Sequence, residues 1–423
     1  MKALTLRNSM LSLFILQGSN YLLPLLTLPY LTRTLGTENF GHITFVQAVI
    51  YYFIALTDYG FNLTATRSAS LVKNQPEKLH RLFSIVTSIK IGIMLIGLAL
   101  ILSFFSIANL PKTEKYLYLF AYLSVIGSTL FPIWFFQGTG HTGIMSLISI
   151  TSRSIMIILI FLLVKEQEDY LLALALQSGG TLLAGIVSCL VLYKKKLIQP
   201  CLPTTIEIQY EIRNGWHVFI SSIAVNLYTS TTTVILGILA GSTSVAYFSA
   251  AEKIIKAIHG IFIPVSQACY PHIARLAQKS QYQALRFIGN LLMIQGGITL
   301  CIAFLIFNIN EKLVISILGQ GFIGSSAILQ WMAFLPFIVS LSNILGTQTM
   351  LNFGMKILFS RILLFSGILH IILSIPLIYF FKEYGAAISI LSTETIVTLL
   401  MGFSLHQKKL IQIIFQREKS SYE

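Results

Sequence analysis

The sequence predicts an all-α polytopic membrane protein, with about twelve transmembrane helices in two six-helix lobes related by a pseudo-twofold axis along the membrane normal. Three observations predict it. The 423 residues are 55% apolar and 10% charged, with a mean hydropathy of +0.79; a soluble domain carries about 25% charged residues. Apolar runs recur from end to end between short polar connectors, and each is long enough to cross a bilayer, which takes roughly 20 residues at about 1.5 Å rise. The chain also echoes itself: Leu35-Gly36-Thr37-Glu38-Asn39-Phe40-Gly41 and Ala240-Gly241-Ser242-Thr243-Ser244-Val245-Ala246 each open an apolar run that ends at a basic connector, Arg67–Arg81 and Arg275–Arg286.

Taken in order, the spans fall near 9–31, 41–62, 82–107, 116–137, 143–164, 170–193, 214–239, 244–268, 284–307, 326–347, 357–380 and 385–405. The first follows Met1-Lys2-Ala3 to Arg7 with no A-x-A-like cleavage site, so it reads as a retained helix. Pro24, Pro29, Pro132, Pro264, Pro336 and Pro376 lie within spans and predict kinks. Leu71–Leu82 and Pro271–Arg286 mix basic and apolar residues, as interfacial amphipathic helices do. Lys194-Lys195-Lys196, Pro200 and Pro203 close the sixth span, which divides the chain into lobes at 1–200 and 201–423. Both basic connectors follow an even-numbered span, so the two halves have one orientation. A parallel repeat of this kind places a site between the halves near the midplane.

The formal charge of +14 does not point to nucleic acid, because the basic residues sit in connectors. With both termini cytoplasmic, 19 lie on the inner side. Six lie outside: Arg33, Lys112, Lys115, Lys165, Lys312 and Lys382. The positive-inside rule fixes that orientation. Cys189, Cys201, Cys269 and Cys301 show no C-x-x-C spacing and read as small packing residues rather than a metal site or disulfide framework. There is no H-E-x-x-H, G-x-S-x-G or phosphate-loop pattern and no large outer loop, which excludes a membrane glycan polymerase or ligase. No filter-like motif supports a channel. Neither a cofactor nor a catalytic residue is expected.

The remaining charges lie in the membrane, where they are costly and tend to be functional. Glu252, Lys256 and His259 fall at i, i+4 and i+7 on one helix face, with Lys253 one step round. One pair, Glu252–Lys256, leaves a positive excess that suits an anionic substrate; the bland reading is a pair that only fixes packing. Arg153, between Ser152 and Ser154 in the fifth span, carries a forked donor set suited to phosphate oxygens. Asp58 and Glu394 are candidates, with Glu252, for coupling an ion or balancing charge; for Asp58 a structural bond to the Gly60 turn or to Arg67 is the competing reading. Lys90 can snorkel, and His217 and His370 read as packed histidines. Arg361 and Lys356 flank the inner end of the eleventh span, where Arg361 can recruit an anionic headgroup.

Four stretches carry a family resemblance. They are Leu23–Gly36, continuing through Glu38, Phe40 and Gly41; Asp58-Tyr59-Gly60-Phe61 with Ala65-Thr66-Arg67; Phe135-Phe136-Gln137-Gly138; and Ala246–Lys253, followed by Pro264-Val265-Ser266-Gln267 and Tyr270-Pro271-His272-Ile273. Together they resemble the polysaccharide-transport flippases, the O-antigen (Wzx-type) branch of the superfamily that also holds the multidrug-and-toxin extruders. One departure is Thr139-Gly140-His141 after Gln137-Gly138, in place of a longer charged segment. The resemblance implies a twelve-helix, two-lobed transporter in the bacterial inner membrane. Its implied substrate is an oligosaccharide on undecaprenyl diphosphate, turned from the cytoplasmic to the periplasmic leaflet for O-antigen and lipopolysaccharide biosynthesis. Membrane lipids, and the polymerase and chain-length regulator of the pathway, are the partners it suggests. The substrate-binding residues expected are Arg153, Lys253, Lys256 and Arg361. A multidrug or cation antiporter of the same fold is the alternative, and it should carry acidic and aromatic cavity groups. A peptidoglycan-precursor flippase usually has further helices.

Overall fold

The computed structural model describes the backbone of residues 2–199 and 201–410; the side chains of 2–17, 19–22, 217 and 221–229 lie outside the description. The side chains of Lys2, Arg7 and His217, and the whole of Arg417 and Lys419, therefore lie outside the description.

The described residues form helices and no strand. In chain order these are α1 (Lys2–Asp58), α2 (Phe61–Val72), α3 (Pro76–Ile107), α4 (Lys112–Leu130), α5 (Ile133–Thr139), α6 (Thr142–Leu163), α7 (Tyr170–Lys194), α8 (Thr205–Gly260), α9 (Ile263–Lys279), α10 (Gln281–Leu318), α11 (Ser325–Met332), α12 (Leu335–Asn343) and α13 (Lys356–Gln407). A π-helical turn, Ile344–Met350, follows α12 directly. Counting helices that run on from one another together, the described residues include nine long and apolar enough to cross a membrane.

The three longest helices each carry a residue outside helical geometry: Gly36 (φ 72, ψ 177) in α1, Gly241 (φ 84, ψ 177) in α8 and Lys382 (φ 49, ψ −126) in α13. The two glycines share a conformation that is essentially reserved for glycine. They are also the glycines of the sequence echo. The prolines behave differently from expectation. Pro132 caps α5, while Pro264 and Pro336 sit in the first turns of α9 and α12. There a missing N–H removes nothing, because the first helical N–H groups have no intrahelical partner. Pro24, Pro29 and Pro376 lie inside helices with no break at them. The breaks within these three helices thus fall at Gly36, Gly241 and Lys382 rather than at the prolines.

The chain forms two compact units, Met1–Val234 and Ile235–Glu423, dividing within α8. The first part of α8 joins the first unit through specific contacts: Tyr59 stacks on Phe219 at 4.2 Å, Tyr52 shares a 2.8 Å hydrogen bond with Thr231, and Arg81 pairs with Glu207.

Helix association in a bilayer depends on close packing rather than on water exclusion, so small residues at crossings matter. In the first unit a Cβ on Gly127 would stand 2.4 Å from backbone atoms of Thr181 and Leu182, so α4 and α7 touch backbone to backbone. Gly138 approaches Ala69 Cβ and Thr66 O in the same manner, which joins α5 to α2. The sequence stretches around Ala65–Arg67 and Phe135–Gly138 therefore meet. Beside that crossing, Trp134, Phe135 and Phe136 are fully buried. Gly140 (φ 83) ends α5 in the left-handed conformation, and His141 N–H donates to Phe136 O at 2.8 Å. This closes the helix as glycine C-caps do, and it accounts for the short Thr139-Gly140-His141 segment. In the second unit Ala246, Phe248, Ala250 and Ala251 are fully buried on α8.

Candidate functional site

Each unit contains a cavity. That of the first unit, about 310 Å³, lies among α1, α4, α6 and α7. Arg153 projects from α6 and is half-buried, its backbone and stem lying against Gly180, whose absent side chain leaves the room. Gln47 donates to Gln177 across the cavity at 2.9 Å, and Tyr51, Ser124 and Thr181 add a ring and hydroxyls. Among the described residues that line this cavity there is no carboxylate. The arrangement can offer a fixed positive charge with amide and hydroxyl groups round it, the chemistry of an anionic, hydroxyl-rich ligand.

Asp58 stands where α1 ends. Tyr59 (φ 50) and Gly60 (φ 75) make a left-handed turn, and the Asp58 carboxylate accepts the backbone N–H groups of Gly60 and Asn62. The N-cap of α2 is Gly60, with no side-chain cap bond, so Asp58 acts on the Gly60 turn from the residue where α1 ends. Lys90 departs from expectation. It does not snorkel; it is 4% exposed, donates to Ser128 O at 3.0 Å, and is electrostatically coupled to Asp58. Position along a span suggested an escape to the surface, but α3 turns this side chain inward.

In the second unit Glu252 and Lys256 pair at 2.8 Å, with the Lys256 side chain largely exposed. Lys253 is half-buried on the same turn. His259, one turn further, lines a second cavity of about 410 Å³ between α8, α9, α10 and the π-helical turn. Arg361 is exposed near the start of α13 and lines neither cavity. Glu394 is half-buried on α13, beside Thr393, whose hydroxyl meets His370 Nδ1 at 2.9 Å within a buried pair. His370 is thus packed, as expected.

Of the charged residues singled out in the sequence, Arg153 alone lines the first cavity, and Glu252, Lys253 and Lys256 cluster on one turn of α8. Of the cysteines, Cys189 and Cys269 are half-buried but Cys201 and Cys301 are exposed, so the packing role does not extend to all four. No group of three metal-ligating side chains occurs among the described residues.

The family described as polysaccharide biosynthesis protein matches residues 6–277. A "Putative O-antigen transporter" of Escherichia coli (strain K12) is 36% identical over 417 residues, covering 96% of this chain and 98% of that protein. The protein of the same description from Shigella dysenteriae is 30% identical over 400 residues, covering 94% and 99%. This chain belongs to the polysaccharide biosynthesis protein family. Among solved structures, the family member shares its fold with a lipid II flippase MurJ in an inward closed conformation, at TM-score 0.71 and 15% identity, covering 96% of this chain and 89% of that one. An inward-facing multidrug resistance MATE family transporter of the MOP superfamily aligns at TM-score 0.64 and 13% identity, covering 92% and 98%. The family member is a transporter, not an enzyme.

Sequence reasoning about this family member followed charges and passed over amides. Gln47, Gln177, Gln295 and Gln348 all lie in apolar spans and all line cavities. The signal was present: an amide inside hydrocarbon is costly unless it has a partner.

Proposed function

We propose that this protein is a flippase for oligosaccharide repeat units linked to undecaprenyl diphosphate, moving them from the cytoplasmic to the periplasmic leaflet of the bacterial inner membrane. The observation that carries the reading is the first cavity, where Arg153 stands among amides and hydroxyls with no carboxylate in the described lining. A diphosphate-linked sugar cannot enter hydrocarbon unaided; a cationic, hydroxyl-rich cavity replaces water as its solvent while the lipid tail stays in the bilayer. On one turn of α8 the two ammonium groups of Lys253 and Lys256 outnumber the single carboxylate of Glu252, so the cluster is net positive. Arg361, exposed on α13, collects the anionic headgroup before entry. With the breaks at Gly36, Gly241 and Lys382 taken as turns, nine apolar helices give twelve membrane passages. The two lobes then rock to expose the cavity to either side. Asp58, Glu252 and Glu394 are the candidate groups through which an inward ion supplies the bias, about 2.3 kcal/mol per charge at 100 mV. The basic connectors support a cytoplasmic side for both termini, by the positive-inside rule.

The same fold in a multidrug antiporter would need acidic groups to attract a cation, and the first cavity's lining lacks them. The test is to express Arg153→Ala and Arg153→Lys in a flippase-null strain and score surface polysaccharide. A charge-assisted hydrogen bond is worth about 1.5–3 kcal/mol, so the Ala variant should lose at least about tenfold, and the Lys variant less. Parental surface glycan from the Ala variant, at parental protein level, overturns the reading.

A further inference from the structure

The cavity of the second unit has no role in the charge-based reading, yet it is the more unusual of the two. Gln295, on α10, is 5% exposed, and Gln348, in the π-helical turn, is 1% exposed. Both line the cavity, and the side-chain Oε1 of each has no hydrogen-bond partner. The Gln348 amide is held in one orientation: its Nε2 donates to Ser266 O at 2.8 Å and to Ser266 Oγ at 2.6 Å. Turning the amide over would oppose oxygen to carbonyl oxygen, so Oε1 is the end left for another donor. Ser266 Oγ in turn donates to Asn343 Oδ1, which fixes the hydroxyl.

The π-helical turn makes this possible. Thr349 Oγ1 donates to Ile344 O and Met355 N to Met350 O, both five residues back. Such insertions re-aim side chains and are frequent at functional sites. Leaving a buried amide oxygen without a donor is costly, and two of them at one cavity mean that hydrogen-bond donors arrive there. The chemistry of the donor is constrained. No Asp, Glu, Lys or Arg lines this cavity among the described residues, and its volume of about 410 Å³ lies in the range of small-molecule sites. Thr347 offers a further hydroxyl, and Phe262 and Tyr270 offer ring faces. Amide oxygens for hydroxyl donors and rings for C–H faces suit a neutral sugar.

We infer that the cavity lined by Gln295, Gln348 and Thr347 is a specificity subsite for a neutral, hydroxyl-bearing sugar of the transported glycan, distal to the diphosphate. This rests on the lipid-linked glycan reading and adds to it a second place of recognition. Buried acceptors make such a site selective, because an analogue that lacks the matching hydroxyl leaves them unpaired.

The experiment supplies a flippase-null strain with one of two substrates: the complete lipid-linked repeat unit, or a unit truncated to its first sugar by deletion of the later glycosyltransferases. Delivery to the periplasmic leaflet is read as glycan transferred to the cell-surface glycolipid, at matched protein level. Gln295→Leu and Gln348→Leu should lower delivery of the complete unit at least about tenfold and leave the truncated unit at the parental level. Parental delivery of the complete unit, or equal loss of both, overturns the subsite. Thr347→Val keeps the volume and removes one hydroxyl. Should either glutamine variant fail to accumulate, Thr347→Val decides: a selective loss of a few fold on the complete unit supports the subsite, and parental delivery overturns it. Arg153→Ala separates the two readings, since it should lower both substrates. If it lowers neither, the charge reading fails while a selective glutamine effect still stands.

Discussion

The two units each carry a glycine break in a long helix and differ in what their cavities offer. Gly36 and Gly241 break α1 and α8 with nearly the same angles, and each break is followed by a buried helical run and then a turn, at Tyr59-Gly60 and at Ile261-Phe262. The first unit's cavity carries a guanidinium; the second presents unpaired amide oxygens and no ionisable carboxylate or ammonium in its described lining. The contrast teaches that a glycine break of one geometry can stand beside cavities of different chemistry. A fixed charge selects for a class of ligand, and neutral acceptors select within it.

Erasing the contrast should have the largest effect. Arg153→Gln converts the first cavity to the amide chemistry of the second, and export of surface glycan should fall at least about tenfold, the loss of one charge-assisted contact. Export near the parental level would mean that the guanidinium does not distinguish the cavities. The packing around the cavities should differ as well. Gly127→Ala places a methyl group 2.4 Å from backbone atoms of α7, which cannot move aside as a flexible side chain can. Overpacking of this kind costs about 1–3 kcal/mol, read as a lowered thermal midpoint in detergent. Gly296→Ala, beside the second cavity's wall, meets Leu341 Cδ2 at 3.5 Å and Phe337 Cε2 at 3.9 Å, both ordinary contacts, and should melt near the parent.

Much of this was legible in the sequence, for reasons that differ by residue. Spans were legible because hydrocarbon forces length and composition on any helix that crosses it. The echo at Gly36 and Gly241 was legible because only glycine adopts that backbone at no steric cost. Arg153 was legible because a guanidinium inside an apolar run has few structural uses. Lys90 was not: rotation about the α3 axis decides whether its stem reaches the surface or Ser128, and period alone does not fix rotation. Lys382 was not, because nothing about a lysine announces a left-handed residue. The amides of the second cavity were missed because Gln348 becomes special only through the π-helical turn, and a one-residue insertion leaves no compositional trace.

The kinks permit a narrower comparison. Gly36→Ala and Gly241→Ala each force a side chain into glycine's region, which costs of order 1–3 kcal/mol. Neither is crowded: a Cβ at Gly36 would lie 3.6 Å from the Gln167 side chain, and one at Gly241 meets nothing within 4 Å. Both costs are therefore conformational, and the two variants should lower the thermal midpoint by similar amounts. A large difference between them would break the equivalence of the kinks.

The smallest effect concerns the ion pairs inside each unit. In the second unit the pair Glu252–Lys256 lies within one helix, whereas in the first unit Arg81 of α3 reaches Glu207 at the start of α8, with Arg81 Nη2 donating to Oε2 at 3.0 Å. Thr204 N–H and Oγ1–H also donate to that oxygen, at 2.9 and 2.8 Å. The Arg81 guanidinium first, and then Thr204, hold the Glu207 carboxyl down at about 2, against an ordinary 4.5. A carboxyl held lower in the folded state stabilises it at any pH above its unfolded value. That contribution is complete above about pH 4.5 and disappears as pH falls toward about 2. The pair is exposed, so the contribution is small and screened by salt. Glu207→Gln should therefore lie slightly below the parent in thermal midpoint at neutral pH and converge with it as the medium is acidified through this window. Glu252→Gln at neutral pH, by contrast, removes a link inside a single helix and should leave the docking of α3 against the start of α8, read by protease access to the 195–205 connector, unchanged. If the two substitutions open that connector equally, the ion pair across elements does no more for the first unit than the local pair does for the second.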